Sequence, residues 1–79
     1  MAADLAWEGE ALRLPDGSHL LLHSEHVHHE SVHWWVERHP TNGRSRRIPA
    51  EHYPVNTGRG HTTKAEARRA GLAYARSLA

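Results

Sequence analysis

The stretch SVHWWVERH at Ser31–His39 decides the fold, and the turn sequence Pro-Thr-Asn-Gly follows it directly. Valine and tryptophan favour extended backbone, and Asn-Gly supplies the positive φ angles that a tight hairpin needs. Because alternate side chains of a strand point to opposite faces, Val32, Trp34 and Val36 share one face. This apolar set should face the core, so the sequence predicts a strand here with Trp35 on its other face.

Trp35 is therefore predicted on the face of the sheet that a single helix does not cover. His19 and His23 of the neighbouring strand should share that face. Two interpretations stay open. Either Trp35 belongs to an interaction surface, or the amino-terminal segment covers it through Leu5 and Trp7.

Other segments of strand length lie on both sides of this strand. Glu10–Leu14 alternates polar and apolar residues, and a Pro-Asp-Gly turn joins it to Ser18–His23, which predicts a hairpin. The histidine-rich stretch Ser24–Glu30 either extends the second arm or turns. Ser45–Val55 is predicted to return as a last strand, restricted to the edge of the sheet because its two prolines lack N–H donors.

The carboxy-terminal segment predicts a helix with a defined start. Thr63 and Glu66 form a capping-box pattern, in which each side chain accepts a hydrogen bond from the other residue's backbone N–H. Alanine is frequent after Thr63, and neither proline nor a β-branched residue interrupts the remainder of the chain. The predicted apolar stripe consists of Ala67, Ala70, Gly71, Tyr74 and Leu78.

The predicted fold class is α+β, with a three- to four-stranded antiparallel sheet and one carboxy-terminal helix across one face. We expect a single small domain over residues 1–79, with an acidic strand hairpin at 8–30, a tryptophan strand and basic hairpin at 31–55, and a helix at 63–78. The predicted core consists of Leu12, Leu14, Leu20, Leu22, Val32, Trp34, Val36, Ile48, Tyr74 and Leu78.

Composition narrows the class of protein. The 79 residues contain no cysteine, so disulfides and thiolate metal sites are excluded. No apolar run is long enough for a transmembrane span, and the amino terminus does not read as a signal peptide, so we expect a cytoplasmic protein. A domain this small buries only ~60% of its unfolded surface, so a homodimer or a bound partner would supplement its core.

The two halves of the chain carry opposite charge. Residues 1–37 hold seven acids and one base, and residues 38–79 hold nine bases and two acids, so the formal +1 conceals a net −6 followed by a net +7. Guanidinium groups match phosphate geometry. Our leading hypothesis is a small non-catalytic nucleic-acid-binding module of bacterial or mobile-element type. The residues expected to contact nucleic acid or a partner are Trp35, Arg38, Arg44, Arg46, Arg47, Arg59, Arg68 and Arg69.

The segment from residue 31 onward also resembles a known layout. Trp-Val-Glu-Arg on a strand, Asn-Gly-Arg-Ser-Arg-Arg at a hairpin and Thr-Lys-Ala-Glu-Ala at a helix start are similar to the small DNA-binding modules of AP2 and phage-integrase arm type. Those families insert their sheet into the major groove, which implies that Arg38, Arg44, Arg46 and Arg47 meet DNA. The connection from Tyr53 to His61 is longer than in those families, and an acidic hairpin precedes the module.

Two other classes of function stay open. Opposed charged surfaces and the tryptophan–histidine patch would suit an interaction or inhibitor protein that docks a partner or a second copy of itself. The histidines give a third hypothesis, a metal-binding protein, with His26, His28, His29 and His33 as weak candidate ligands. The chain shows no catalytic motif, so we expect neither an enzyme nor a cofactor.

Overall fold

The computed structural model describes residues 5–28, 31–54 and 60–78, and it shows an antiparallel sheet with one carboxy-terminal helix. The predicted α+β class is confirmed, but the sheet has five strands rather than three or four. Its strands lie side by side in chain order. The elements are β1 (Trp7–Glu8), β2 (Ala11–Arg13), β3 (His19–His28), β4 (Ser31–His39), β5 (Arg46–Arg47), a 3₁₀ turn (Ala50–His52) and α1 (Lys64–Ser77).

The turn between β2 and β3 follows the expected chemistry. Leu14 donates its N–H to the Ser18 carbonyl over 2.8 Å, and Gly17 has a φ of 91°, a value that glycine adopts without strain. The Asp16 carboxylate accepts hydrogen bonds from both the backbone and the hydroxyl of Ser18. These local bonds close the turn and set the register of the hairpin.

The hairpin of β3 and β4 forms the centre of the sheet. Its pairing runs from His19 opposite His39 to His28 opposite Ser31, with an irregularity between His26 and His28. The histidine-rich stretch that the sequence left undecided thus continues β3 as far as His28.

The last strand is much shorter than predicted. Only Glu37 and Arg38 of β4 pair with β5, which ends at Arg47. Pro49 then precedes the 3₁₀ turn. Proline has no N–H to donate, so the ladder cannot continue through Pro49.

Beyond β5, two backbone N–H groups of β4 donate hydrogen bonds to groups outside the sheet. Val36 donates its N–H to the Tyr53 hydroxyl over 2.8 Å, and Trp34 donates its N–H to the Thr62 carbonyl over 2.9 Å. The segments on either side of residues 55–59 are therefore tied to the β4 edge beyond the end of β5.

Helix α1 begins with the predicted capping box. Glu66 donates its N–H to the Thr63 hydroxyl over 3.2 Å, and Thr63 donates its N–H to the Glu66 carboxylate over 2.9 Å. The buried helix residues are small, which lets the helix lie close to the sheet. They are Ala67, Ala70, Gly71 and Ala75.

Strand β1, which the sequence did not predict, packs under this helix. The Trp7 ring lies against Gly71, and its Nε1 donates a hydrogen bond to the Arg68 carbonyl over 2.8 Å. Leu5 also packs against the core. The expectation that Leu5 and Trp7 cover Trp35 is therefore wrong, because Trp7 is used on the helix side of the sheet.

Most of the predicted core is buried. Leu12, Leu14, Leu20, Leu22, Val36 and Ile48 form it together with three helix alanines. Trp34 and Tyr74 are half-buried and pack against its margin, and Val32 is half-buried. Leu78 is 46% exposed, contrary to prediction, because α1 ends at Ser77 and Leu78 follows it.

No helix in the described part of the chain combines the length and the apolar character that crossing a membrane requires.

Candidate metal centre on the open sheet face

The face of the sheet opposite α1 carries a row of polar and aromatic side chains. Directly paired residues of antiparallel strands share a face, so Leu21 opposite Glu37 and His23 opposite Trp35 lie together. Their chain neighbours Leu20, Leu22 and Val36 are buried on the helix side. We call this surface the open face.

Three side chains of the open face bring metal-ligating atoms together. Nε2 of His23 lies 3.5 Å from Oε1 of Glu37, and Nε2 of His39 lies 3.8 Å from the same oxygen. The two imidazole Nε2 atoms are 3.5 Å apart. Ligand atoms held ~2.0–2.1 Å from a tetrahedral ion lie roughly 3.3 Å from one another. The triad needs to contract by only a few tenths of an ångström to bind such an ion.

The register of β3 and β4 produces this convergence. Glu37 and His39 stand two residues apart on β4 and so point to the same face. His23 comes from the adjacent strand, where it pairs with Trp35 and lies diagonal to Glu37. Two adjacent, directly paired strands therefore supply all three groups, which makes their spacing a property of the fold.

A second layer of contacts orients the ligands. Trp35 Nε1 donates a hydrogen bond to Oε2 of Glu37 over 2.7 Å, which leaves Oε1 directed at the two imidazoles. The Trp35 ring stacks against His23, and His19 stacks against His39 with ring centroids 5.6 Å apart. Outer contacts of this kind fix ligand orientation and raise metal affinity in known metal sites.

The triad is accessible to solvent. The side chains of His23, Glu37 and His39 are 35%, 21% and 29% exposed. Two imidazole nitrogens and one carboxylate oxygen suit zinc and other divalent transition metals, and three protein ligands leave a coordination position for water or another molecule.

The structure does not bring together the two predicted histidine ligands whose side chains it describes, His26 and His33. His26 pairs with Val32 and so shares the helix-side face, whereas His33 lies on the open face with Trp35. Nδ1 of His33 accepts a hydrogen bond from the Thr62 N–H over 3.0 Å. His29 and the side chain of His28 lie outside what the structure describes. His26 and His33, two of the four candidate ligands, thus lie on opposite faces of the sheet.

Two of the predicted nucleic-acid contacts are used inside the protein. Arg38 donates hydrogen bonds to the Tyr74 hydroxyl over 2.9 Å and to the Asp16 carboxylate over 2.8 Å. These partners raise the pKa of Arg38, with the Tyr74 hydrogen bond as the largest cause. Arg68 donates to the Gly9 carbonyl over 3.0 Å. Both guanidinium groups therefore hold separate parts of the chain together.

The other predicted arginines that the structure describes are not gathered on one face. Arg46 and Arg47 are exposed but alternate across β5, and Arg47 lies over the Trp35 ring at 4.2 Å. Arg44 is exposed in the turn before β5, and Arg69 is exposed on α1. Arg59 lies outside the described residues. The described arginines are distributed over the turn, both sides of β5 and the helix.

A cavity of ≈ 320 Å³ lies beside β4, past the end of β5. Its residues come from β4, from β5 and the chain after it, and from the residue before the helix cap. The lining consists of His33, Trp34, Trp35, Arg47, Ile48, Ala50, Tyr53, Pro54 and Thr62.

No protein-family model, curated protein or solved structure matches this chain. Its function is therefore argued from the triad, the exposed arginines and the cavity.

Proposed function

We propose that the protein binds a divalent transition metal, with zinc as the reference ion, through His23, Glu37 and His39. The observation that carries this proposal is the convergence of three ligand atoms on the open face, at 3.5, 3.8 and 3.5 Å from one another. The hydrogen bond from Trp35 to Glu37 supports it, because it commits one carboxylate oxygen and leaves the other free to bind the ion.

The test is a calorimetric titration of untagged protein with zinc, since a histidine tag would bind zinc itself. We expect one ion per chain in the wild type. His39→Ala should lower the affinity at least about 100-fold, because loss of a direct ligand should cost no less than the loss of an outer contact. The matched control is His26→Ala, which removes an exposed histidine from the other face of the same hairpin.

The outcomes distinguish a defined zinc site from weak binding of zinc by the many histidines of the chain. Equal losses in His39→Ala and His26→Ala would mean that zinc binds the histidines without a defined site, and would overturn the proposal. Trp35→Phe keeps an aromatic ring but removes the donor to Glu37. It should weaken zinc binding by about 10- to 100-fold if the outer contact acts as described.

A second candidate function is nucleic-acid binding by the turn and strand at residues 44–47. The observation in its favour is that Arg44, Arg46 and Arg47 are exposed within four residues and form no ion pair with a carboxylate among residues 5–28, 31–54 and 60–78. Guanidinium groups in this state are available to phosphate.

Titration of labelled duplex and single-stranded DNA at low and moderate salt tests this candidate. Replacing these three arginines by glutamine should weaken binding and reduce the slope of log affinity against log salt by about 1 for each arginine that contacts a phosphate. Arg76→Gln, an exposed change at the far end of α1, is the control and should change the slope by at most about 1. Absence of binding at low salt, or a salt-independent affinity, would refute phosphate contact.

A further inference from the structure

The cavity beside β4 has aromatic walls. Trp34, Trp35 and Tyr53 line it, together with the saturated ring of Pro54. The Tyr53 hydroxyl accepts the Val36 N–H over 2.8 Å, which fixes the ring against the strand. Tyr53 has a raised pKa, and burial of its ring is the largest cause, so its hydroxyl stays protonated and this wall carries no charge. The structure thus offers flat apolar surfaces before any ligand arrives.

Two cations are held at these walls. The Arg47 guanidinium lies 4.2 Å from the centre of the Trp35 ring, and the Lys64 ammonium lies 4.9 Å from the centre of the Trp34 ring. Cation–π contact with tryptophan restrains each charge without neutralising it.

None of the described residues that line the cavity carries a carboxylate. Glu37 pairs with Arg47 across β4 and β5, but its carboxylate binds Trp35 Nε1 and faces the histidines. No ion pair of Arg47 with a carboxylate occurs in the described part of the chain. The guanidinium is therefore the group best placed to receive an anion.

His33 adds a neutral donor. Because Nδ1 accepts the Thr62 N–H over 3.0 Å, a neutral imidazole must carry its proton on Nε2. His33 and Arg47 both line the cavity, so its lining contains a neutral hydrogen-bond donor as well as a positive charge.

We propose that this cavity binds a small planar aromatic acid, with its carboxylate on Arg47 and its ring against Trp34 and Tyr53. Ligand cavities commonly measure ~300–1,000 Å³, and ≈ 320 Å³ is at the lower end of that range. The size therefore suits one or two fused rings with a carboxylate, and favours such a molecule over several nucleotides of a nucleic-acid strand.

The experiment compares matched ligands by calorimetry in the presence of a chelator, so that its result does not depend on the metal site. The probes are 1-naphthoate, its neutral analogue 1-naphthamide, and the non-planar anion cyclohexanecarboxylate. We expect 1-naphthoate to bind about tenfold more tightly than either analogue, since a charge-assisted hydrogen bond and a stacked ring are each worth about that factor.

Variants assign the charge preference to one residue. Arg47→Gln should bring the affinities for 1-naphthoate and 1-naphthamide together, whereas Arg44→Gln, outside the lining, should leave their ratio unchanged. Arg47 is exposed, so its replacement should not unfold the protein. The ratio of the two affinities is a readout that a general loss of stability would not produce.

Three results would overturn the proposal. One is equal binding of 1-naphthoate and 1-naphthamide by the wild type, and another is an unchanged ratio in Arg47→Gln. The third is tighter binding of an oligothymidylate than of 1-naphthoate, with competition between them, which would assign the cavity to single-stranded nucleic acid.

Discussion

Replacing Gly71 by alanine should destabilise the protein, although the same change normally stabilises a helix. A Cβ atom at Gly71 would lie 2.5 Å from Cζ2 of Trp7, and the indole cannot simply move away because its Nε1 is bound to the Arg68 carbonyl. Overpacking of this kind costs ~1–3 kcal/mol, and the better helix propensity of alanine returns ~1 kcal/mol. We expect a net loss of ~1 kcal/mol in the free energy of unfolding.

The effect of Gly71→Ala on the free energy of unfolding should change sign when the Trp7 ring is absent. In a Trp7→Leu background the new methyl group meets no indole, so Gly71→Ala should stabilise the protein by ~1 kcal/mol through helix propensity alone. The coupling free energy between the two positions is then ~2 kcal/mol, within the range found for residues in contact. This reversal identifies the Trp7 ring as the cause, since a general defect in the helix would persist in both backgrounds.

Urea and thermal unfolding of the four proteins in this cycle measure the effect. For a domain of this size ~1 kcal/mol corresponds to a shift of ~4–8 °C in Tm. Ala73→Gly, at an exposed position of the same helix, is the control and should cost ~1 kcal/mol whether or not Trp7 is present. A gain of ~1 kcal/mol for Gly71→Ala in the wild-type background would refute the close packing of β1 under α1.

Three further predictions concern stability. In urea unfolding, Trp34→Ala should lower the free energy of unfolding by ~3 kcal/mol and Trp35→Ala by ~1 kcal/mol or less, because of the two only Trp34 packs against the core. Equal losses would contradict the assignment of the two side chains to opposite faces. Thr63→Ala should cost ~1 kcal/mol by loss of the cap, and a Thr63→Ser variant that fails to retain most of this stability would argue against it. Hydrogen bonds from Ser18, first from its hydroxyl and then from its N–H, with a smaller contribution from Arg38, hold the pKa of Asp16 below 3.8. The ionised carboxylate therefore stabilises the fold above pH 3.8, and this contribution is lost as the pH falls through the lowered pKa. In Asp16→Asn, Tm should therefore fall less steeply than in the wild type as the pH is lowered through this range.

Features set by neighbouring residues were predictable from the sequence. The capping box at Thr63 depends on groups three residues apart, and the turn at Gly17 depends on a conformation that glycine permits. The alternation in β4 likewise placed Trp34 and Trp35 on different faces. Each of these inferences needs only local stereochemistry, which the order of residues contains.

Features that depend on distant partners were not predictable. Strand β1 is two residues long, and its anchor Trp7 is held by a helix residue 61 positions away. In the part of 45–55 that the structure describes, the predicted strand is reduced to two residues, because Pro49 ends its ladder. Further along, the β4 edge binds the Tyr53 hydroxyl and the Thr62 carbonyl instead. The choice of these partners is decided by tertiary packing, which no local pattern reports.

The candidate metal site was missed for a related reason. Histidine is densest around His26, but metal binding requires convergence of ligand atoms rather than proximity in sequence. Glu37 and His39 form a Glu-x-His pair on one face of β4, and aligning the two arms of the hairpin would have placed His23 beside them. The usable signal was therefore the register between β3 and β4.

Trp35 connects the two proposed sites, and this sharing has a thermodynamic consequence. Its Nε1 holds the Glu37 carboxylate, while its ring lines the cavity under Arg47. An ion that fixes Glu37 also restrains the indole, so less freedom is left to lose when an aromatic acid binds beside it. By linkage, whatever factor the metal adds to the affinity for the acid, the acid adds to the affinity for the metal. The helix occupies one face of this small sheet, so both ligands would use the other face and its adjoining edge. Their binding free energies should therefore be coupled rather than additive.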